Sequence, residues 1–112
     1  MKSKYSADGI LTIRPSGDID HHAARTLREE ADVLIDDNHP KKVIIDLSGT
    51  EFMDSSGLGF ILGRLRKCAS QGISLALANP SGRTMRILEM AGADKMIEII
   101  SPEDGGKGAG IE

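Results

Sequence analysis

Short runs of β-branched and aliphatic residues alternate along this chain with longer stretches whose apolar residues recur every three or four positions. That alternation confines the fold to an α/β layer architecture. The strand candidates are Lys2 to Ser6, Ile10 to Arg14, Val43 to Leu47, Ile73 to Ala78 and Ile97 to Ile100. Ala7-Asp8-Gly9 reads as a Gly-containing hairpin connection, so the first two runs form the one antiparallel pair. The later runs are separated by helices, and parallel strands joined through helices fold right-handed onto a shared sheet. Val43-Ile44-Ile45-Asp46-Leu47 is apolar enough to be covered on both faces. Pro15 suits only an edge or a strand terminus.

The first helix is predicted from Asp20, whose carboxylate can cap the following amides, to about Asp36. Ala23, Leu27, Ala31 and Leu34 form its stripe, with Ala24 and Ile35 beside it, and Asn38-His39-Pro40 ends it. The second starts near Ser55, with Leu58, Ile61, Leu62, Leu65 and Ala69 expected to face the core and Gly72 to cap the end. The third is opened by Asn79-Pro80-Ser81, carries Thr84, Ile87, Leu88 and Ala91, and closes at Gly92. One domain is expected over 1–101. Residues 102–112, rich in Gly with almost nothing to bury, read as a disordered tail.

A chain of 112 residues can hide roughly two-thirds of its unfolded surface, enough for one core without disulfides. The single Cys68 cannot form an internal bridge, and no run approaches the ~18 apolar residues of a spanning helix. No apolar leader follows Met1, so a reducing cytoplasm is the expected compartment. A net charge of −3 and the scarcity of aromatics argue against a nucleic-acid surface.

Chemistry concentrates in Phe52-Met53-Asp54-Ser55-Ser56-Gly57-Leu58-Gly59, which joins a buried strand to the second helix. A helix N-terminus offers unpaired N–H groups and a positive dipole end, which tolerate a phosphate; the plainer reading of Asp54, Ser55 and Ser56 is capping. At ~100° per residue Phe60 falls nearly opposite Leu58, in line with Ser56, Gly63 and Lys67 and beside Arg64. It is either a docking aromatic or a residue lying under a neighbouring element.

Cofactor and enzyme motifs are not met. Gly57-Leu58-Gly59-Phe60-Ile61-Leu62-Gly63 has its third Gly one place late for a dinucleotide loop, and the next strand ends in Asn79 where an acid would hold a ribose. A nucleophile elbow needs Gly on both sides, whereas Met53 and Gly57 flank Ser55, and Asp54 and Leu58 flank Ser56. Gly105-Gly106-Lys107-Gly108 lacks the strand and hydroxyl of a phosphate loop. His21 and His22 diverge on a helix and cannot chelate one ion together, and Cys68 reads as a small buried residue.

Two segments together, Gly17-Asp18-Ile19-Asp20-His21-His22-Ala23-Ala24 and Asp46-Leu47-Ser48-Gly49 through Met53-Asp54-Ser55-Ser56-Gly57-Leu58-Gly59, resemble the STAS domain family. The likeness extends over roughly Ile10 to Ile100 and is strongest to the free-standing bacterial antagonists of anti-sigma factors, which control sporulation and stress sigma factors. It implies a mixed four- to five-stranded sheet with helices packed mainly on one side. It also implies partner switching: the unphosphorylated antagonist binds an anti-sigma factor with GHKL-type serine kinase activity and frees a sigma factor. The kinase then phosphorylates the antagonist and releases it, and a phosphatase reverses the mark. Carried onto this chain, the phosphorylated residue matches Ser55, with Asp20 and Asp54 flanking it in the partner-facing surface. Ser56, Gly57, Phe60, Gly63 and Arg64 would form the middle of that surface. Neither an enzyme nor a nucleic-acid or membrane partner is implied. The alternatives are a STAS scaffold subunit of a stress-signalling or transporter complex and a small nucleotide-binding or hydrolytic domain. Members usually continue past the last strand into a further helix, whereas this chain runs into the Gly-rich segment, which would leave an apolar groove open beside the first helix.

Overall fold

The computed structural model describes residues 1–100; the Gly-rich segment 102–112, read as a disordered tail, lies outside the described residues. In chain order the elements are β1 (Lys2–Tyr5), β2 (Ile10–Arg14), α1 (His21–Asn38), β3 (Lys42–Asp46), α2 (Ser55–Ser70), β4 (Ser74–Ala78), α3 (Gly82–Met90) and β5 (Glu98–Ile100), with a 3-10 turn at Ala93–Lys95. The five strands lie in sequence order across one sheet. β1 is antiparallel to β2 and every later neighbour is parallel. The expected hairpin is present, and its reversal at Gly9 uses φ 85°, a left-handed backbone that glycine adopts without a Cβ penalty.

Each helix begins on a side-chain cap. Asp20, Asp54 and Ser81 precede α1, α2 and α3 and accept from the amides of Ala23, of Ser56 and Gly57, and of Thr84 respectively. α2 ends as expected, with Gly72 at φ 72° just past Gln71. β2 stops at Arg14, so Pro15 falls at a strand terminus as its missing N–H requires.

Sequential right-handed crossovers place all three helices on one face of the sheet. The core shows this: Leu11, Ile13, Val43, Ile45, Leu75 and Leu77, which alternate along their strands, cluster with Leu27, Ala31 and Ile35 of α1, Ile61 and Cys68 of α2, and Leu88 of α3. The opposite face carries Thr12, Ile44 and Ala76, which are also buried. Two ion pairs lie on that face, Arg14–Asp46 at 3.3 Å and Lys42–Glu98 at 3.1 Å, and their long side chains cross the strands around those residues. β3 is therefore buried on both sides, as its apolar run predicts. Beside α1, a groove of about 450 Å³ runs along β1, lined by Met1, Ser3, Glu29, Glu30, Val33 and Leu34.

The second helix departs from expectation. Its buried residues are Gly57, Phe60, Ile61, Arg64 and Cys68, while Leu58, Leu62 and Leu65 are half-buried and Ala69 is exposed. The face that is most deeply covered is thus rotated by about 100°, one residue's step, from the predicted stripe. The cause is a second neighbour: α2 touches β4 with one side and α1 with the adjacent side. Phe60 and Arg64, expected in the partner-facing surface, are 3% and 7% exposed because α1 covers them, so of the two readings of Phe60 the one that places it under a neighbouring element holds. A helix covered on two sides buries an arc too wide to read from its aliphatic residues alone.

Candidate functional site

The two capping aspartates come together through one short backbone bridge. Ile19 and Met53 pair in parallel; the Ile19 N–H donates to the Phe52 carbonyl and the Asp54 N–H donates to the Ile19 carbonyl, both at 3.2 Å. Upstream the same two loops are joined again. The Gly17 N–H donates to the Gly49 carbonyl at 2.9 Å, and the Phe52 N–H to the Asp18 carboxylate at 3.3 Å. The residues that follow the bridge are Asp20 and Asp54, so α1 and α2 start side by side.

Each aspartate faces amides that would otherwise be unpaired. Asp20 Oδ1 accepts from the Ala23 N–H at 2.9 Å, and Asp54 Oδ1 accepts from the N–H groups of Ser56 at 2.8 Å and Gly57 at 3.3 Å. Ser55 is the first residue of α2 and is exposed; Ser56 is half-buried. Gly57 is buried and must be glycine. A Cβ there would stand 2.6 Å from Met53 Cβ and 3.1 Å from the Ile19 carbonyl, where the bridge passes beneath the helix. The second and third glycines differ: a Cβ on Gly59 or Gly63 would meet nothing within 4 Å. All three glycines lie within the helix rather than in a loop, which leaves no phosphate-cradling turn of the dinucleotide kind.

Between the N-terminal halves of α1 and α2 lies a groove of about 480 Å³. Phe60, Ala24 and Gly59 line it together with His21, Arg25, Arg28 and Ser56. The sequence reading missed both arginines, although His21, Arg25 and Arg28 recur at i, i+4 and i+7 and so share one helix face. Behind Phe60 sits Arg64, its guanidinium 5.6 Å from the ring centroid and its Nε 2.9 Å from Asp32 Oδ1. The contact is a close charge pair without hydrogen-bond alignment, since Arg64 Nε and Asp32 Oδ1 are both buried and lack an aligned partner. Burial pushes the Arg64 pKa below the usual arginine range against the opposing pull of Asp32. One turn on, Lys67 pairs with Asp36 at 2.9 Å, so two ion pairs tie α2 to α1. Cys68 is fully buried, as expected, and burial raises its thiol pKa.

A second polar centre at the end of β3 was also not anticipated. Asp46, 1% exposed, accepts from the Ser48 N–H at 3.0 Å, Asn79 Nδ2 at 3.1 Å and Arg14 Nε at 3.3 Å. It fixes the loop that leads from β3 towards Ser55, and the one sequence signal for it is an acid closing an otherwise aliphatic strand. His21 and His22 are both exposed on the first turn of α1. Among the described residues no group of His, Cys, Asp and Glu is arranged to hold a metal ion.

Comparison with known proteins agrees with this geometry. The model of the STAS domain family matches residues 2–105. An anti-sigma F factor antagonist of Paenibacillus polymyxa is 35% identical over 95 residues, covering 85% of this chain and 81% of the relative. The solved structure of the anti-sigma factor antagonist SpoIIAA in its unphosphorylated form superposes with a TM-score of 0.78 at 26% identity, over 99% of this chain and 97% of that one. The phosphorylated form of the Bacillus cell fate determinant SpoIIAA superposes with a TM-score of 0.72 at 25% identity, over 96% and 97%. With its five-stranded mixed sheet, its one-sided helices and its matching family model, the chain belongs to the STAS domain family.

Proposed function

We propose that this chain is an anti-sigma factor antagonist switched by phosphorylation of Ser55. In its unphosphorylated state it binds an anti-sigma factor and thereby frees a sigma factor. The anti-sigma factor is also the GHKL-type serine kinase that marks Ser55, and a phosphatase removes the mark. The chain is then a substrate and a ligand, which requires no catalytic group of its own and no cofactor. The sigma factor's place of work sets the compartment as the cytoplasm, and among the described residues no helix is long and apolar enough to cross a membrane.

The observation that carries this reading is the exposed Ser55 hydroxyl at the first position of α2, next to Asp54 and beside the start of α1 at Asp20. A phosphate there adds about −1.5 to −2 charge at neutral pH. The positive end of α2 lets the free protein tolerate that charge. A partner closing over it must strip water from a dianion that already sits among two carboxylates, which costs binding free energy. A penalty of ~4 kcal/mol weakens binding about a thousandfold.

Incubation with the cognate kinase and ATP, followed by mass spectrometry, tests the assignment. One phosphate is expected, on Ser55, and Ser55→Ala is expected to take up none while still binding the anti-sigma factor. Labelling that persists in Ser55→Ala would remove Ser55 from the mechanism. An assembly indifferent to Ser55→Asp would indicate a scaffold subunit instead.

A further inference from the structure

We propose that the groove between α1 and α2 receives a carboxylate-rich segment of the anti-sigma partner, and that Arg25 and Arg28 are its specificity-determining contacts. The proposal rests on the antagonist reading and deepens it by naming the chemistry of what docks. Three observations support it, the first being charge. The chain carries a net −3, yet each titratable residue lining this groove is a base: His21, Arg25 and Arg28. Among the described residues the ion pairs engage Arg14, Lys42, Arg64 and Lys67, so Arg25 and Arg28 spend no charge on the fold. Arg64 behind Phe60 is balanced by Asp32 at 2.9 Å, so the groove's free positive charge is that of Arg25 and Arg28. A local field opposite to the net charge of the molecule steers one class of partner, an acidic one.

The second observation is Gly59. Glycine inside a helix is less favourable than alanine, and the fold gives nothing back for it here, since a Cβ at this position meets open space. Gly59 lines the groove, so its missing side chain keeps the floor low for something that enters from outside. Phe60 and Ala24 supply the apolar part of that floor, which suits the stems of glutamates as well as their heads. The third observation is position. Ser56 lines the same groove and directly follows Ser55. A phosphate on Ser55 would therefore stand at the edge of the groove, within range of the incoming carboxylates, and like charge would add to the desolvation cost in driving release. A nucleic acid fits less well, because the groove's single aromatic is almost wholly buried and presents no free ring for a base to stack on.

The test is a calorimetric titration of the purified cognate anti-sigma factor with four proteins at low and high salt. These are the unsubstituted chain, Arg25→Glu/Arg28→Glu, Gly59→Leu and Ser55→Asp, each checked for folding by its thermal melt. Both groove variants are expected to bind about thirtyfold or more weakly. The charge-reversed variant should also lose most of the salt dependence, and Gly59→Leu should melt no lower than the unsubstituted chain. If Ser55→Asp abolishes binding while both groove variants bind within twofold of the unsubstituted chain, the groove proposal fails and the antagonist reading stands. If Ser55→Asp binds as well as the unsubstituted chain, or if the unsubstituted chain does not bind at all, both fail. Self-association in the ultracentrifuge that disappears in Arg25→Glu/Arg28→Glu would make the occupant a second copy and overturn the proposal, as would uptake of an oligonucleotide with the same charge dependence.

Discussion

Asp54 serves the fold and the switch through one carboxylate. It satisfies the amides of Ser56 and Gly57 and, at the same time, sets a negative charge next to the hydroxyl that would be phosphorylated. Replacing it with alanine should lower stability by about 1 kcal/mol, the usual worth of an N-cap, read as a shift in the urea midpoint. Gly57 is more demanding because its constraint is backbone and Cβ rather than a flexible tip. The 2.6 Å approach to Met53 predicts that Gly57→Ala costs about 1–3 kcal/mol despite the better helix propensity of alanine. Gly59→Ala should show the opposite sign, gaining stability by a few tenths to about 1 kcal/mol, since nothing crowds that position. Paired urea titrations of the two variants separate a glycine required by packing from one that the fold does not need. Cys68 gives a further check at this scale: with its thiol buried and its pKa raised, alkylation of the native protein should proceed only as fast as the chain opens.

Between elements, the contact of α1 with α2 decides most of what the site looks like. Its polar part is a pair of unequal bridges. Asp36 is more than half exposed, with its side chain 57% accessible, so losing the pair to Lys67 should cost at most a few tenths of a kcal/mol. Arg64 is different, because its side chain is 8% accessible and Asp32 supplies its balancing charge. Asp32→Ala should therefore destabilise by about 1–3 kcal/mol, and Arg64→Met in the same background should restore most of it by removing the stranded cation; equilibrium unfolding of the single and double variants measures both. The element boundaries and caps were legible from the sequence, since Asp20, Asp54, Ser81, Gly72 and Gly92 punctuate the chain by local chemistry. The covered face of α2 was not. Leu58, Leu62 and Leu65 outweigh Gly57 and Arg64 in any hydrophobic pattern, and only the arrival of α1 turns Phe60 and Arg64 inward. Local chemistry marked the Ser55 segment only as a helix cap, its proposed role in the switch resting on the family resemblance, whereas the groove needs two helices that are adjacent in space and so could not be read from one of them.

As a whole molecule, the chain is a one-sided sheet that holds two helix starts in fixed relation. The bridge at Ile19 and Met53 and the Asp46 centre tie the site's loops to the strands, so a modification at Ser55 is borne by a rigid base. Phosphorylation should shift the net charge from −3 to about −5 while the melting temperature changes by no more than a few degrees. The exposed area of 6259 Å² leaves ample room for a partner, because a standard footprint of ~800 Å² takes little more than a tenth of it. Release by local charge, without a change of fold, is the central claim, and the most direct test is the dissociation constant of the anti-sigma factor for the chain before and after stoichiometric phosphorylation. The expected result is a weakening of about a thousandfold with an unchanged far-ultraviolet circular dichroism spectrum. Equal affinity in the two states, or a loss of affinity accompanied by unfolding, would contradict it.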